Sequence, residues 1–245
     1  MRTVLIVQAR MGSSRLPGKV LMEVGGETML GRVVRRASRA ALVDEVAVAT
    51  STAPGDDAVD EHAAKLRVAC VRGSEGDVLD RFRTAAEALG AGVVVRVTAD
   101  CPMIDPGLVD DVVGALRDAP GADFAANPLE RTYPRGLDVE AAPRACLDRA
   151  WREAREPWER AHVFPYVYAD PQRFHLVSVR GDEDRSGQRW TVDTAEDLAM
   201  ARALCARLPG GGLRAGWREA LAAVEREPGI AHLNARVAQK EPAAG

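Results

Sequence analysis

No stretch of this sequence is apolar for long enough to cross a bilayer, which argues against a spanning helix. The first apolar run, residues 4–7, is too short for the core of a signal peptide. With no export signal, the cytoplasm is the expected compartment. Cysteine is sparse: Cys70, Cys101, Cys146 and Cys205 form no close pair and no Cys-x-x-Cys spacing, so neither a disulfide framework nor a zinc site is expected. Positive charge is not in excess. The 33 Lys and Arg residues face 36 Asp and Glu residues, for a net charge of −3, so no global basic field draws nucleic acid. There is no internal repeat and no linker rich enough to divide the chain. At 245 residues one hydrophobic core still serves, so the expectation is a single domain over residues 1–237 with a tail over 238–245, frayed at 242–245.

What is there is an alternation of strand and helix signals. Residues 3–8 form a short continuous apolar run, the pattern of a strand buried on both faces. Met29, Leu30, Val33, Val34 and Ala37 recur at helical spacing. Strands are predicted at 46–50, 68–71 and 93–97, with helices at 56–66 and 78–89 between them. Asp105 and Pro106 are a cap and a first-turn residue for the next helix. Repeated strand–helix units imply an α/β fold: a Rossmann-like, mostly parallel, mixed sheet with helices on both faces. The second half is less regular. Helices are predicted around Leu147 to Ala154, at 195–208 and at 217–226, and strands at 174–179 and 189–192. Trp151, Trp158 and Trp190 are expected to pack rather than to stack on a ligand.

The loop after the first strand carries the most chemistry. It runs Ala9-Arg10-Met11-Gly12-Ser13-Ser14-Arg15-Leu16-Pro17-Gly18-Lys19 and leaves the carboxyl end of a strand, where open α/β sheets bind ligands. Gly12 and Gly18 let backbone approach a ligand. The serines add donors, and Arg10, Arg15 and Lys19 put three cations on one turn. Amides and cations so arranged suit a triphosphate; the alternative is an ordinary exposed loop. It is not a P-loop, since Val20 follows Gly18-Lys19, and it is not the Gly-x-Gly-x-x-Gly dinucleotide fingerprint.

Extended back to Val7-Gln8, this stretch resembles the signature loop of the cytidylyltransferases that activate 3-deoxy-manno-octulosonate and acylneuraminate. Within them it is most similar to the spore-coat polysaccharide biosynthesis group. The resemblance implies the nucleotide-diphospho-sugar transferase type of fold, CTP as substrate, Mg2+ as cofactor and a small anionic sugar-like acceptor, with no nucleic acid or membrane partner and a homodimer as the assembly. It implies Ala9, Arg10, Gly12, Ser13, Arg15 and Lys19 as nucleotide ligands, with Lys19 and Arg15 also catalytic.

Asp100 follows the fourth strand in Thr98-Ala99-Asp100-Cys101-Pro102. It suits magnesium, which takes one or two carboxylates plus phosphate oxygens and water; the alternative is a turn aspartate. Thr98 and Asp100 join the expected nucleotide site. The octulosonate enzymes carry Gly-Asp-Glu-Pro here, so Asp100 matches and Cys101 does not, which bears on the acceptor and not on the chemistry. Val192-Asp193-Thr194-Ala195-Glu196-Asp197-Leu198 resembles the family's Val-Asp-Thr-Pro-Glu-Asp-Leu motif, whose first acid binds magnesium. Thr194 and Asp197 form a capping box, and the alternative role of Asp193 is to offset the helix dipole.

Three further segments resemble the family. Gly73 and Ser74, after the third strand, are implied to meet the base, with Asp77 as a helix cap. Tyr133-Pro134-Arg135-Gly136-Leu137-Asp138-Val139-Glu140 resembles the Pro-x-Gly-x-Asp-x-Glu element of the spore-coat-type relatives. It offers Arg135 for an acceptor carboxylate or phosphonate and Asp138 and Glu140 on one face of an extended segment, against the reading of a solvated hairpin. Arg160 and His162 are candidate acceptor ligands, with a structural histidine as the alternative. The ending His232-Leu233-Asn234-Ala235 also resembles the spore-coat-type group. The competing functions are a glycosyltransferase of the same fold using a nucleotide-sugar donor, a nucleotide-binding regulatory domain, and a cytidylyltransferase with a phosphonate acceptor.

Overall fold

A computed structural model describes residues 1–239; of the expected tail, residues 240–245 lie outside the described residues. The run at the N-terminus forms β1 (Thr3–Gln8). Leu5 and Val7 enter one hydrophobic core and Val4 and Ile6 the other, all fully buried. An apolar strand without alternation is what a sheet covered on both faces requires. A small ribbon of β2 (Glu23–Val24) and β3 (Glu27–Thr28) leads into α1 (Met29–Ala37). Then come β4 (Glu45–Ser51), α2 (Asp57–Leu66), β5 (Ala69–Gly73), α3 (Val78–Ala88), β6 (Val93–Thr98) and α4 (Pro106–Asp118). Asp105 caps α4 by accepting from the amides of Gly107 and Leu108, as its sequence context predicts.

The second half adds β7 (Phe124–Ala126), β8 (Glu140–Pro143), α5 (Arg144–Glu153), α6 (Pro157–Ala161), α7 (Pro165–Tyr168) and β9 (Leu176–Ser178). It ends with α8 (Ala195–Ala206), α9 (Trp217–Arg226) and α10 (Gly229–His232). The seven-stranded sheet has the order β5-β4-β1-β6-β8-β7-β9. Strands β5, β4, β1 and β6 are parallel, while β8 runs antiparallel to β6 and to β7. The α1, α2, α4, α8 and α9 residues join the core on one face, and those of α3, α5 and α7 the core on the other. Among the described residues no helix is long and apolar enough to cross a membrane. All four cysteines are free.

Three expectations differ from the structure. The strand predicted at 189–192 is an extended segment with one isolated bridge, Arg135 to Arg189. Its amides are divided between two partners, Trp190 to the Arg135 carbonyl and Val192 to the Asp100 carbonyl, so no ladder forms. The strand predicted at 174–179 shortens to Leu176–Ser178 on the sheet edge. Of the three tryptophans expected to pack, Trp190 is buried and Trp151 half-buried with its ring nitrogen on Asp80, but Trp158 is exposed.

Helix α1 holds a further departure from simple patterning. Arg32 and Arg36 are fully buried. Arg36 donates to the carbonyls of Met103, Ile104, Gly212, Leu213 and Ala215, and Arg32 Nε donates to that of Pro102. A buried guanidinium is tolerated when carbonyls take its donors. Here it fixes the loop from Asp100 to Asp105 against α1.

Candidate active site

Gln8 pairs with Thr98 at the carboxyl ends of β1 and β6, so the loops leaving these strands start side by side. The first loop is held at both ends. Asp56 accepts from the Met11 amide at 2.6 Å and from the Ser51 hydroxyl. Gly18 takes a left-handed conformation (φ 71°) that a side chain would strain, and its amide donates to the Met11 carbonyl at 2.9 Å. The turn this makes sends Lys19 inward, where it is buried.

Lys19 Nζ donates at 2.8 Å to Asp100 Oδ2, to Asp193 Oδ1 and to the Val192 carbonyl. Burial alone would lower the Lys19 pKa, but Asp100 and Asp193 outweigh it and hold it above its ordinary value. Asp193 shows the counterpart: burial works to raise its pKa, but Lys19, Arg189 and Arg15 hold it below the usual carboxylate range. Arg15 Nη2 lies 3.0 Å and Arg189 Nη2 2.8 Å from Asp193 Oδ2. Thr98 Oγ1 donates to Asp100 Oδ1 at 2.6 Å and so aims it.

The segment carrying Asp193 is fixed by backbone contact. Val192 donates to the Asp100 carbonyl at 2.8 Å. Gly136, at φ 103°, lies so near it that an added Cβ would stand 2.5 Å from the Thr191 nitrogen. The capping box read from the sequence is present: Thr194 accepts from the Asp197 amide, and Asp197 accepts from that of Thr194. Asp197 also binds Arg189 through both oxygens at 2.9 Å.

These groups line a cleft of about 1150 Å³. On the side of the first loop it includes Arg10, Gly12, Ser13, Arg15, Lys19, Thr98, Asp100 and Asp193. Arg10 is exposed there, with no carboxylate partner among the described residues. The opposite wall includes Arg131, Arg135, Asp138, Glu140 and His162. Leu137 and Val139 point into the core, so Asp138 and Glu140 do share one face. Asp138 is held by both Arg131 guanidinium nitrogens, at 2.5 and 2.9 Å. Glu140 is paired with Arg96, which also donates to Gln8 Oε1 at 3.0 and 2.9 Å. Burial pushes the Glu140 pKa up, against the pull of Arg96.

Four of the sequence-predicted site residues do not line this cleft. Ala9 is buried beside the sheet edge, its amide on the Ala49 carbonyl. Gly73 ends β5 two strands away, and Ser74 accepts from the Asp77 amide. Arg160, expected to face the acceptor, is bound to Asp77 at 2.6 Å and to the Trp151 carbonyl at 3.1 Å. The N-terminal turn of α3 therefore draws it away. Asp77 does cap α3, accepting from the Asp80 amide.

The sequence reading missed several contributors. Arg189, Arg96, Gln8 and Arg131 all line the cleft or orient a group in it. A charged residue inside the apolar strand Val93-Val94-Val95-Arg96-Val97 was the one available signal for Arg96. Arg189 and Arg131 sit in irregular segments whose periodicity carries no information about direction.

The arrangement fits a divalent cation. Two carboxylates and a backbone carbonyl converge on one positive centre, the Lys19 ammonium, and an oxygen-only donor set is what a hard ion takes. Among the described residues no three acids, histidines or cysteines converge on one point, here or elsewhere, so the protein side of such a site is the two carboxylates and the carbonyl. A pair of carboxylates leaves the remaining positions to phosphate oxygens and water.

Residues 4–224 match a family model described as "Cytidylyltransferase". The spore coat polysaccharide biosynthesis protein SpsF of Bacillus subtilis is 35% identical over 82% of this chain and 85% of its own. A 3-deoxy-manno-octulosonate cytidylyltransferase of Anaeromyxobacter dehalogenans is 30% identical over 82% of this chain and 97% of its own. The solved structure of a cytidylyltransferase from Leptospira borgpetersenii superposes with a TM-score of 0.91 at 30% identity, covering 98% of this chain and 100% of that one.

Proposed function

The chain belongs to the cytidylyltransferase family, and from that premise we propose that it moves CMP from CTP to a hydroxyl of a sugar acid or related small anionic acceptor. Pyrophosphate leaves, magnesium is required, and the product feeds cell-surface glycan or specialised-metabolite biosynthesis. The observation that carries this reading is the meeting of Lys19, Asp100 and Asp193 at one point of the cleft. The octulosonate relative supports a sugar acid as acceptor, and the SpsF relative supports a place in polysaccharide biosynthesis.

Each residue has a role that follows from its position. Arg10 and the backbone around Gly12 and Ser13 bind the triphosphate, since amides and an exposed cation favour negative charge. Asp100 and Asp193 would hold magnesium, which when bound supplies Lewis-acid stabilisation at the reacting phosphate and acidifies the attacking hydroxyl. Lys19, released toward the phosphates, and Arg15 offset charge that grows on the departing pyrophosphate. The acceptor oxygen attacks the α-phosphorus in line. Its bond to phosphorus forms as the bond to the bridging oxygen breaks, and the hydroxyl proton is lost to solvent. Arg135, on the opposite wall, binds the acceptor's anionic group.

The test is pyrophosphate release from each nucleoside triphosphate, with magnesium, against a panel of sugar acids and phosphonates. Release with CTP and one acceptor class, lost in Asp100→Ala and Asp193→Ala, is the expected result. Turnover of a nucleotide sugar, with no release from CTP across the panel, would instead establish the glycosyltransferase alternative.

A further inference from the structure

Asn234 lies beyond the residues 4–224 matched by the family model, yet it is buried against the active site. Its Nδ2 donates to the Arg189 carbonyl at 3.0 Å and to Asp197 Oδ1 at 2.8 Å. Asp197 is completely buried. Besides Arg189, its Oδ2 accepts from the amides of Asp193 at 3.0 Å and Thr194 at 3.2 Å. Arg189 then reaches Asp193 Oδ2 at 2.8 Å. The chain of contacts runs Asn234, Asp197, Arg189, Asp193 and Lys19, without a gap. The same C-terminal segment makes two more contacts of this kind. Gln239 Oε1 accepts from Arg189 Nη1 at 2.6 Å and the Ala238 carbonyl from Arg15 Nη1 at 3.4 Å. Both guanidinium groups that hold Asp193 are thus tied to residues 234–239.

We propose that Asn234 is a positioning residue for nucleotidyl transfer, an inference that rests on the cytidylyl reading above. A buried carboxylate has about four lone-pair sites, and their donors set its orientation. On Asp197 Oδ1 the donors are Arg189 Nε and Asn234 Nδ2. Removing the amide leaves Arg189 alone on that oxygen and removes the hydrogen bond that anchors the Arg189 carbonyl. Asp197 and Arg189 then rotate together, and Asp193 loses its aim toward Lys19 and the metal. Arg189 and Asp197 are the groups that touch Asp193 directly; loss of such partners typically weakens binding about 10- to 100-fold, and Asn234 acts through both.

The experiment compares wild type with Asn234→Ala, the isosteric Asn234→Asp and the donor-retaining Asn234→Ser. In the ligand-free protein, hydrogen exchange at the amides of Asp193 and Thr194 is followed together with the melting temperature. Calorimetry then measures binding of CTP with magnesium. The expected result is faster exchange at both amides and binding weakened about 10-fold in Asn234→Ala and Asn234→Asp, with Asn234→Ser intermediate. Unchanged exchange at those amides, or wild-type binding in a variant that melts early, overturns the proposal and leaves Asn234 a packing residue. A wild-type protein that binds no CTP sinks the cytidylyl reading, while the exchange measurement still decides whether Asn234 sets Asp193.

Discussion

Lys19 Nζ lies 2.8 Å from Asp193 Oδ1 although 174 positions of chain separate them. The same nitrogen reaches Asp100 on the neighbouring loop, so one side chain holds two acids together that would otherwise repel. Lys19→Met keeps the volume and removes the charge. It is expected to destabilise the ligand-free protein by about 2 kcal/mol, the order of cost for leaving partly buried charged acceptors unmatched. Urea denaturation measures this. Pyrophosphate release is expected to fall by at least about 100-fold, and retention of wild-type release would contradict the role given to Lys19.

Stability is expected to fall in acid for a traceable reason. Asp193 and Asp197 both hold folded-state pKa values below the ordinary carboxylate range. Burial opposes this in each; Lys19 leads the opposite pull on Asp193, and Arg189 and Asn234 that on Asp197. A depressed pKa contributes stability that is fully present above the unfolded value, about 3.9, and is lost as the pH falls toward the folded value. The melting temperature should therefore be flat near neutrality and drop below about pH 4. Asp197→Asn should start lower at pH 7 and show a shallower acid limb, and parallel limbs would count against the assignment.

Gly136→Ala puts a methyl group 2.5 Å from the Thr191 nitrogen, at a φ of 103° that alanine avoids. A loss of about 2–3 kcal/mol is expected. Thr191 is two residues from Asp193, so activity should fall further than the folded fraction explains. Stability and turnover measured on the same samples check both parts.

Arg10→Ala removes the cleft cation that has no carboxylate partner among the described residues. Among the described residues no ion pair is broken, so the melting temperature should hold. The KM for CTP should rise about 10-fold, as expected for a lost charge-assisted contact of roughly 1.4 kcal/mol. A destabilised variant with unchanged KM would assign Arg10 a structural role.

Much of the nucleotide half could be read in advance, because it is made by local signals. A continuous apolar strand followed by glycines and cations announces both the sheet edge and its ligand class. Asp105 and the Thr194–Asp197 box mark helix starts through the chemistry of capping alone. Asp100 stands out by its position after an apolar strand, whereas Asp193 is marked as a metal acid only by the resemblance of its motif to the family's, since its place before a cap reads equally as an offset to the helix dipole. The other half was less legible because its logic is long-range. Nothing near Arg160 tells it to turn to Asp77, and nothing near Arg189 tells it to bridge Asp193 and Asp197. Arg36 sits in a helix whose apolar stripe is plain, but the carbonyls that justify its burial come from loops 67 to 179 positions away. The extended segment at 189–192 has a strand's composition and no strand beside it that is free to form a ladder.

The reversal of β8 has a consequence for how such a protein changes over time. In the parallel half of the sheet, each loop at the cleft must follow a strand and feed a covering helix, so its length is tied to the packing of both. Because β8 enters the sheet from the cleft side, the residues ahead of it, 127–139, form a rim suspended between two strands with no helix to seat. Tyr133, Leu137 and Val139 anchor that rim in the core, so change without repacking is confined to its cleft-facing side chains, among them Arg131 and Asp138. One wall of the cleft can thereby vary in its polar groups while the cationic turn facing it keeps its shape.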